Sequence, residues 1–190
     1  MPNININRKI VLGGLKFQNQ YSYLFDGVNE YIHLGSGKIY NTDSGAISVW
    51  VNPSALADGK RIIGFGGDGT TNLHSIEIRV DGANTYFAIT NIGGGVSDFL
   101  RGNTPLSINT WYHLVVASDG TAYTMYVNNV AQTFNVIVGG NSGDWWSDAG
   151  SPANGVVSIG ATKFNTVQFF FNGNIDEVSV WDRSLTASEV

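Results

Sequence analysis

Asp176 and Glu177 stand side by side in NGNIDEVSVWDRSLTASEV, the stretch from Asn172 to Val190. Two carboxylates at one place could act as an acid/base pair on a glycosidic bond, hold a divalent cation, or simply end a strand. The run around them reads as a β-strand. Successive strand side chains point to opposite faces, which puts Asp176 with Val178 and Val180, and Glu177 with Ile175, Ser179 and Trp181. Carboxylates on opposite faces cannot flank one substrate bond, so the acid/base reading fails here. A second acidic run, HSIEIRVD, has Glu77 and Asp81 on one face with Arg79 between them. Four residues of strand span about 13 Å, too far for either glycosidase geometry. The carboxylate spacing predicts no catalytic residues and a chain that is not an enzyme.

Other reactive groups are equally scattered. There are no cysteines, which removes thiolate metal sites and disulfides. His33, His74 and His113 fall in three separate runs without ligand spacing, and are expected to be strand residues with local hydrogen bonds. No G-x-S-x-G nucleophile elbow occurs. The glycine clusters GFGGDG (Gly64 to Gly69) and NIGGGVSD (Asn91 to Asp98) lead into strands or loops. They supply no helix N-terminus for a phosphate. The most suggestive stretch is GGNSGDWWSDAGSPANG, Gly139 to Gly155. Trp145 and Trp146 lie there among small and polar residues, and an exposed indole offers a rigid face to a sugar or a partner protein. Asp144, Asp148 and Asn141 beside them are candidates for sugar hydroxyls or a cation. The competing reading has at least one of the two indoles folding back to cap the edge of the fold. Trp50, Trp111 and Trp181 fall inside strand runs and are expected in the core or on a sheet face.

The elements that must position these residues are short. From Tyr21 onward about eleven apolar or alternating runs, rich in Val, Ile, Tyr, Phe, Trp and Thr, are separated by Gly, Asp and Asn. No run keeps a helical apolar period over a dozen residues. The pattern predicts an all-β chain, a sandwich or a barrel. Asp119-Gly120 is expected to be a type I′ hairpin turn, and Asn128-Asn129 another. Together they would chain three antiparallel strands from about Trp111 to Val138. Thr186 to Glu189 fits a capping box for a single helical turn. The Asn-rich residues 1–20 read as an arm or linker before one domain over 21–190.

Composition narrows the partners. The net charge of −5 and pI of about 4.9 argue against nucleic acid, which wants a basic stripe. No apolar run reaches membrane-spanning length. The first residues lack the apolar stretch of a secretory signal.

Several segments taken together resemble a known family. FDGVNEYIHL, AISVWVNP, WYHLVVASDGTAYTMYVNN, SIG and FNGNIDEVSVWDRSLTASEV occur in the order and spacing of the laminin-G-like jelly rolls. These belong to the concanavalin A-like lectin/glucanase superfamily. The resemblance covers Tyr21 to Val190 and implies a two-sheet antiparallel jelly-roll β-sandwich with six or seven strands per sheet. It departs at Asn129, where the family usually has Gly. It also implies a structural calcium, with Asp26 and Asp176 as the candidate ligands together with nearby main-chain oxygens.

The expected function is a non-catalytic recognition or adhesion module. It would bind glycan or a cell-surface protein, use Trp145, Trp146, Asp144 and Asp148 as the ligand-binding loop, and carry Ca2+ as a structural ion. The alternative is a structural virion protein (phage capsid decoration, fibre or tail) docked to other assembly subunits through residues 1–20. A glycoside hydrolase ranks third. The expected location is extracellular or on a virion surface.

Overall fold

The computed structural model describes residues 21–36, 42–57, 59–66, 75–82, 84–91, 95–148, 156–163 and 166–190. The expected arm over 1–20 and His74 lie outside them. Two antiparallel sheets carry the chain. One has six strands, in spatial order β1 (Tyr23–Asp26), β15 (Asn172–Trp181), β3 (Gly45–Pro53), β8 (Tyr112–Ser118), β9 (Tyr123–Val127) and β10 (Val130–Ala131). The other has seven, in the order β11 (Phe134–Val138), β7 (Gly95–Gly102), β6 (Asn84–Asn91), β5 (Ser75–Asp81), β4 (Lys60–Gly66), β12 (Val156–Ile159) and β2 (Ile32–Ser36). A short hairpin, β13 (Thr162–Lys163) with β14 (Val167–Gln168), is hydrogen-bonded as a sheet of its own. This is the concanavalin A-like sandwich that the sequence segments imply. Among the described residues no helix is long and apolar enough to cross a membrane.

Period-two alternation builds the core. Ile47, Val49 and Val51 of β3 and Leu114 and Val116 of β8 meet Ile76, Ile78 and Val80 of β5, and all are buried. Between these, β5 turns Glu77 and Arg79 to the far side of its sheet. Phe25, Phe171 and Ile175 extend the same core toward the β1 edge.

Three local expectations change. Asp119-Gly120 is not a two-residue turn, because Ser118 pairs with Tyr123 and leaves a four-residue loop. Only Gly120 of that pair has positive φ, and the Asp119 carboxylate organises the loop by accepting from Thr121 N, Thr121 Oγ1 and Ala122 N, each at 2.8 Å. The type I′ turn is Asn128-Asn129, with φ of 52° and 65° between the paired Val127 and Val130. The third strand of the expected meander is split. β10 ends on the six-stranded sheet at Ala131, and β11 crosses to pair with β7 of the other sheet.

The third change falls on Asp176 and Glu177. Asp176 pairs with Trp50 and Ser179 with Ser48, so Glu177 and Val178 together face Val49 in a β-bulge. Glu177 has φ of 46°, in the left-handed region. The bulge inverts the alternation beyond it. Asp176 shares the outward face with Ser179 and Trp181, while Val178 packs on the core. The expected grouping of Asp176 with Val178 is therefore wrong, since one extra residue shifts strand parity.

Candidate functional site

Over the described part of the tryptophan loop, residues 139–148, neither indole is a stacking platform. Trp145 is 0% exposed and Trp146 6%, and both belong to the main core cluster. Trp146 meets Phe65 edge-on at 4.4 Å between ring centroids, and the two indoles contact each other at 5.7 Å. Trp145 also lies against the backbone of Gly45, where a Cβ would come within 2.6 Å of its Cε2. The expectation of two exposed rings is corrected by burial: each indole removes a large apolar surface from water. The polar loop residues serve as anchors. Asp98 of β7, 2% exposed, accepts from Gly140 N at 2.6 Å, from the Tyr123 hydroxyl at 2.9 Å and from Ser142 Oγ. The Tyr123 hydroxyl also reaches the Asp144 carbonyl at 2.8 Å, and burial pushes its pKa far above the ordinary tyrosine range. Asn141 Oδ1 accepts from Tyr123 N at 2.7 Å, and Asp148 Oδ2 accepts from Trp145 N at 2.9 Å. Asp144 and Asp148 thus border a core plug.

Asp26 and Asp176 are not brought together either. Asp26 pairs with Asn172, four residues along β15 from Asp176. Four residues of strand separate the two by about 13 Å, beyond the reach of one ion with Ca–O distances of about 2.4 Å. Asp26 Oδ1 is already engaged by Val28 N at 2.8 Å, Asn29 N at 3.2 Å and Glu30 N at 3.4 Å. These bonds, led by Val28, hold its carboxyl below the ordinary aspartate range. Asp26 organises a turn, and the donor set does not fit a calcium ion shared with Asp176. No group of three or more His, Asp or Glu suited to a metal ion occurs among the described residues.

What the fold does assemble lies on the face of the seven-stranded sheet turned away from the core. Arg61 of β4 pairs with Arg79 of β5, Arg79 with Tyr86 of β6, Tyr86 with Arg101 of β7, and Arg101 with Asn135 of β11. Three of the chain's five arginines thus share one transverse row, spanning about 14 Å at the usual strand spacing. The next row runs His33, Ser158, Gly64, Glu77, Ala88 and Phe99. Aromatic rings flank the cations: the Arg79 guanidinium carbon lies 4.2 Å from the Phe99 ring centroid, and that of Arg61 lies 4.0 Å from Phe169.

One end of this face is walled. After Gly160 the chain folds Ala161 and Thr162, both fully buried, over β4, so close that a Cβ on Gly64 would stand 2.7 Å from Thr162 Cβ. Beneath this wall Arg61 Nε lies 3.0 Å from Glu77 Oε2, with both side chains buried. Glu77 Oε1, Ser158 Oγ and Thr162 Oγ1 are buried there without a hydrogen-bond partner. Phe169 is 37% exposed and forms the rim. Chemically the surface offers planar guanidinium forks, suited to carboxylate or sulfate, beside rings suited to the apolar face of a sugar. His33 is exposed at the far edge on β2, and His113 lies on the other sheet. The sequence contained one sign of this cluster, namely arginines at outward positions of strands, but strand adjacency is what makes them a row.

Comparison with known proteins agrees with this architecture. A family described as the concanavalin A-like lectin/glucanases superfamily matches residues 26–190. None of the curated proteins matches the chain. Domain 4 of AbnA, a GH43 extracellular arabinanase from Geobacillus stearothermophilus solved with arabinotriose, superposes with a TM-score of 0.64 at 23% identity, over 88% of this chain and 73% of that one. The CBM40 of Ruminococcus gnavus IT-sialidase, solved with α2,3-sialyllactose, gives 0.65 at 16% identity, over 85% and 94%. A SAP-like pentraxin from Limulus polyphemus gives 0.57 at 14% identity, over 86% and 76%. Sequence segments, two-sheet topology and family match converge, and the chain belongs to the laminin-G-like jelly rolls of the concanavalin A-like lectin/glucanase superfamily.

Proposed function

We propose that this chain is a non-catalytic glycan-recognition module whose ligand lies on the outward face of the seven-stranded sheet and carries negative charge. The observation that carries this reading is the row Arg61, Arg79 and Arg101 on a chain of net charge −5. Arg61 is buried and paired with Glu77, so it is Arg79 and Arg101 that add positive charge to this face of an acidic chain, which favours an anionic partner there. Arg61, held by Glu77 and Phe169, is preorganised, and Arg79 on Phe99 presents a ring and a cation side by side. The glycans named with two of the structural neighbours, arabinotriose and sialyllactose, support a saccharide as the ligand. Within the two rows Glu77 is the one carboxylate, and its engagement with Arg61 leaves no pair for glycosidic cleavage. The test is an array of sialylated, uronate-bearing and sulfated glycans beside their neutral counterparts, at two salt concentrations. Binding to acidic glycans is expected, with about 10- to 100-fold loss in Arg79→Ala or Arg101→Ala. Equal binding to neutral counterparts, or affinity unaltered by both substitutions, would overturn the assignment.

A further inference from the structure

The opposite face of the molecule carries a second platform. The six-stranded sheet turns Asp176, Trp50 and His113 outward in one row, by the pairings Asp176 with Trp50 and Trp50 with His113. Strand alternation from the buried Tyr112 puts Trp111 on the same side as His113, diagonal to Trp50. Trp50 is 38% exposed and Trp111 40%, whereas Trp145 and Trp146 are buried. One end of this face is covered, because Leu185 and Val190 pack over Ala46, Val115, Ala117 and Tyr126. The two exposed indoles lie beyond that cover.

It is also held in place. The Trp50 ring stacks on the His113 imidazole at 5.1 Å and 19°. His113 Nε2 lies 2.7 Å from Ser48 Oγ, and Nδ1 lies 3.2 Å from Asn129 Oδ1 in the type I′ turn. A ring fixed in this way loses little freedom on binding, which is how indoles contribute to recognition at low entropic cost. Polar groups suited to hydroxyls surround it. Asp176 is the next residue in the row, and Asn52, which pairs with Asn174, has a buried Oδ1 without a hydrogen-bond partner. No lysine or arginine lies in these outward positions of the six strands, so the patch is neutral to acidic and disfavours an anion.

We propose that Trp50 and Trp111, with Asp176 and Asn52, form a second saccharide site that takes a neutral sugar ring. Its apolar face would stack on indole, and its hydroxyls would donate to carboxylate and amide oxygens. The site is independent of the arginine face and of the ligand proposed there. The test is isothermal titration of the full chain with four neutral probes: lactose, cellotriose, arabinotriose and chitotriose. Saturable binding of at least one probe is expected. It should weaken about tenfold or more in Trp50→Ala and Trp111→Ala, weaken in Asp176→Asn, and persist in Arg79→Ala and Arg101→Ala. Trp50→Phe, which retains a stacking ring, should recover most of the affinity. Should Trp50→Ala fail to fold, the more conservative Asp176→Asn and the exposed Trp111→Ala keep the test decisive. Absence of binding by all four probes, or binding unaffected by the tryptophan and aspartate substitutions, would overturn the proposal. So would binding lost equally in the arginine variants.

Discussion

Asp98→Ala should unfold far more than a loop. The carboxylate is 2% exposed and accepts from Gly140 N, the Tyr123 hydroxyl and Ser142 Oγ. Truncation removes this acceptor from Gly140 N and Ser142 Oγ, while the Tyr123 hydroxyl keeps the Asp144 carbonyl. Hydrogen bonds to a charged acceptor contribute about 1.5–3 kcal/mol each before the desolvation of the carboxylate is offset. Buried donors left unsatisfied cost about 1–3 kcal/mol each, so the two that lose their acceptor, together with the weakened Tyr123 contact, come to about 3–5 kcal/mol. A local opening cannot absorb that cost, because Trp145 and Trp146, a few residues on, are part of the main core. Detaching the loop means withdrawing both indoles, so the cost should appear as global stability. At about 2–4 °C per kcal/mol for a chain of this size, Tm should fall by about 6–20 °C. Calorimetry would measure the fall. Tryptophan emission would shift to the red in the same transition, since the two buried indoles meet water only on unfolding. Asp98→Asn, which keeps an acceptor oxygen, should cost less. A Tm within about 2 °C of the parent for Asp98→Ala, or an early emission shift well below the main transition, would refute the coupling of loop to core.

Two further predictions concern the same architecture. Gly45→Ala should destabilise by several kcal/mol, because its Cβ would stand 2.6 Å from Trp145 Cε2 and 2.8 Å from the Trp181 carbonyl oxygen. Chemical denaturation would read this, and a cost under about 0.5 kcal/mol would mean that Trp145 is not seated against β3. The second is a pH dependence. Glu189 is held down to about 2 from 4.5, first by its hydrogen bonds from Arg183 and then by Thr186 N. A depressed carboxyl pKa contributes stability that is fully present above pH 4.5 and lost as pH falls toward 2. Glu189→Gln should therefore lower Tm above pH 4.5 and converge with the parent near pH 2. A constant difference across that range would refute it.

The capping box expected at Thr186 to Glu189 forms by half. Glu189 reaches back to accept from Thr186 N at 2.9 Å, but Glu189 N donates to the Thr186 carbonyl at 3.0 Å, and the Thr186 hydroxyl donates to the Glu189 carboxylate at 3.0 Å. The arrangement seats Leu185 on the six-stranded sheet and so bounds the tryptophan patch.

Local signals settled the class of fold. Apolar alternation in short runs and the Asn128-Asn129 turn marked an all-β chain, because strand period and turn conformation depend on neighbours in the chain. The choice of two packed antiparallel sheets over a barrel came from the resemblance of the ordered segments, from FDG to DEVSVW, to the laminin-G-like jelly rolls. The site was decided elsewhere. Glu177 occupies a bulge, and one extra residue moved Asp176 onto the outward side beside Trp50. A parity change of this kind leaves no mark in composition. Trp145 and Trp146 look exposed by their polar neighbours, yet Asp98, forty-odd residues earlier, pulls their loop onto the core. Trp50 and Trp111 read from their strand context as core or sheet-face residues, and the register of β3 with β8 decides for the outer face. Arg61, Arg79 and Arg101 become one surface only because β4 to β7 lie side by side in register. The sequence alone determined which residues prefer strands and turns. Which side chains share a face, and which face meets water, is set by pairings between distant segments, and only the tertiary structure decides those.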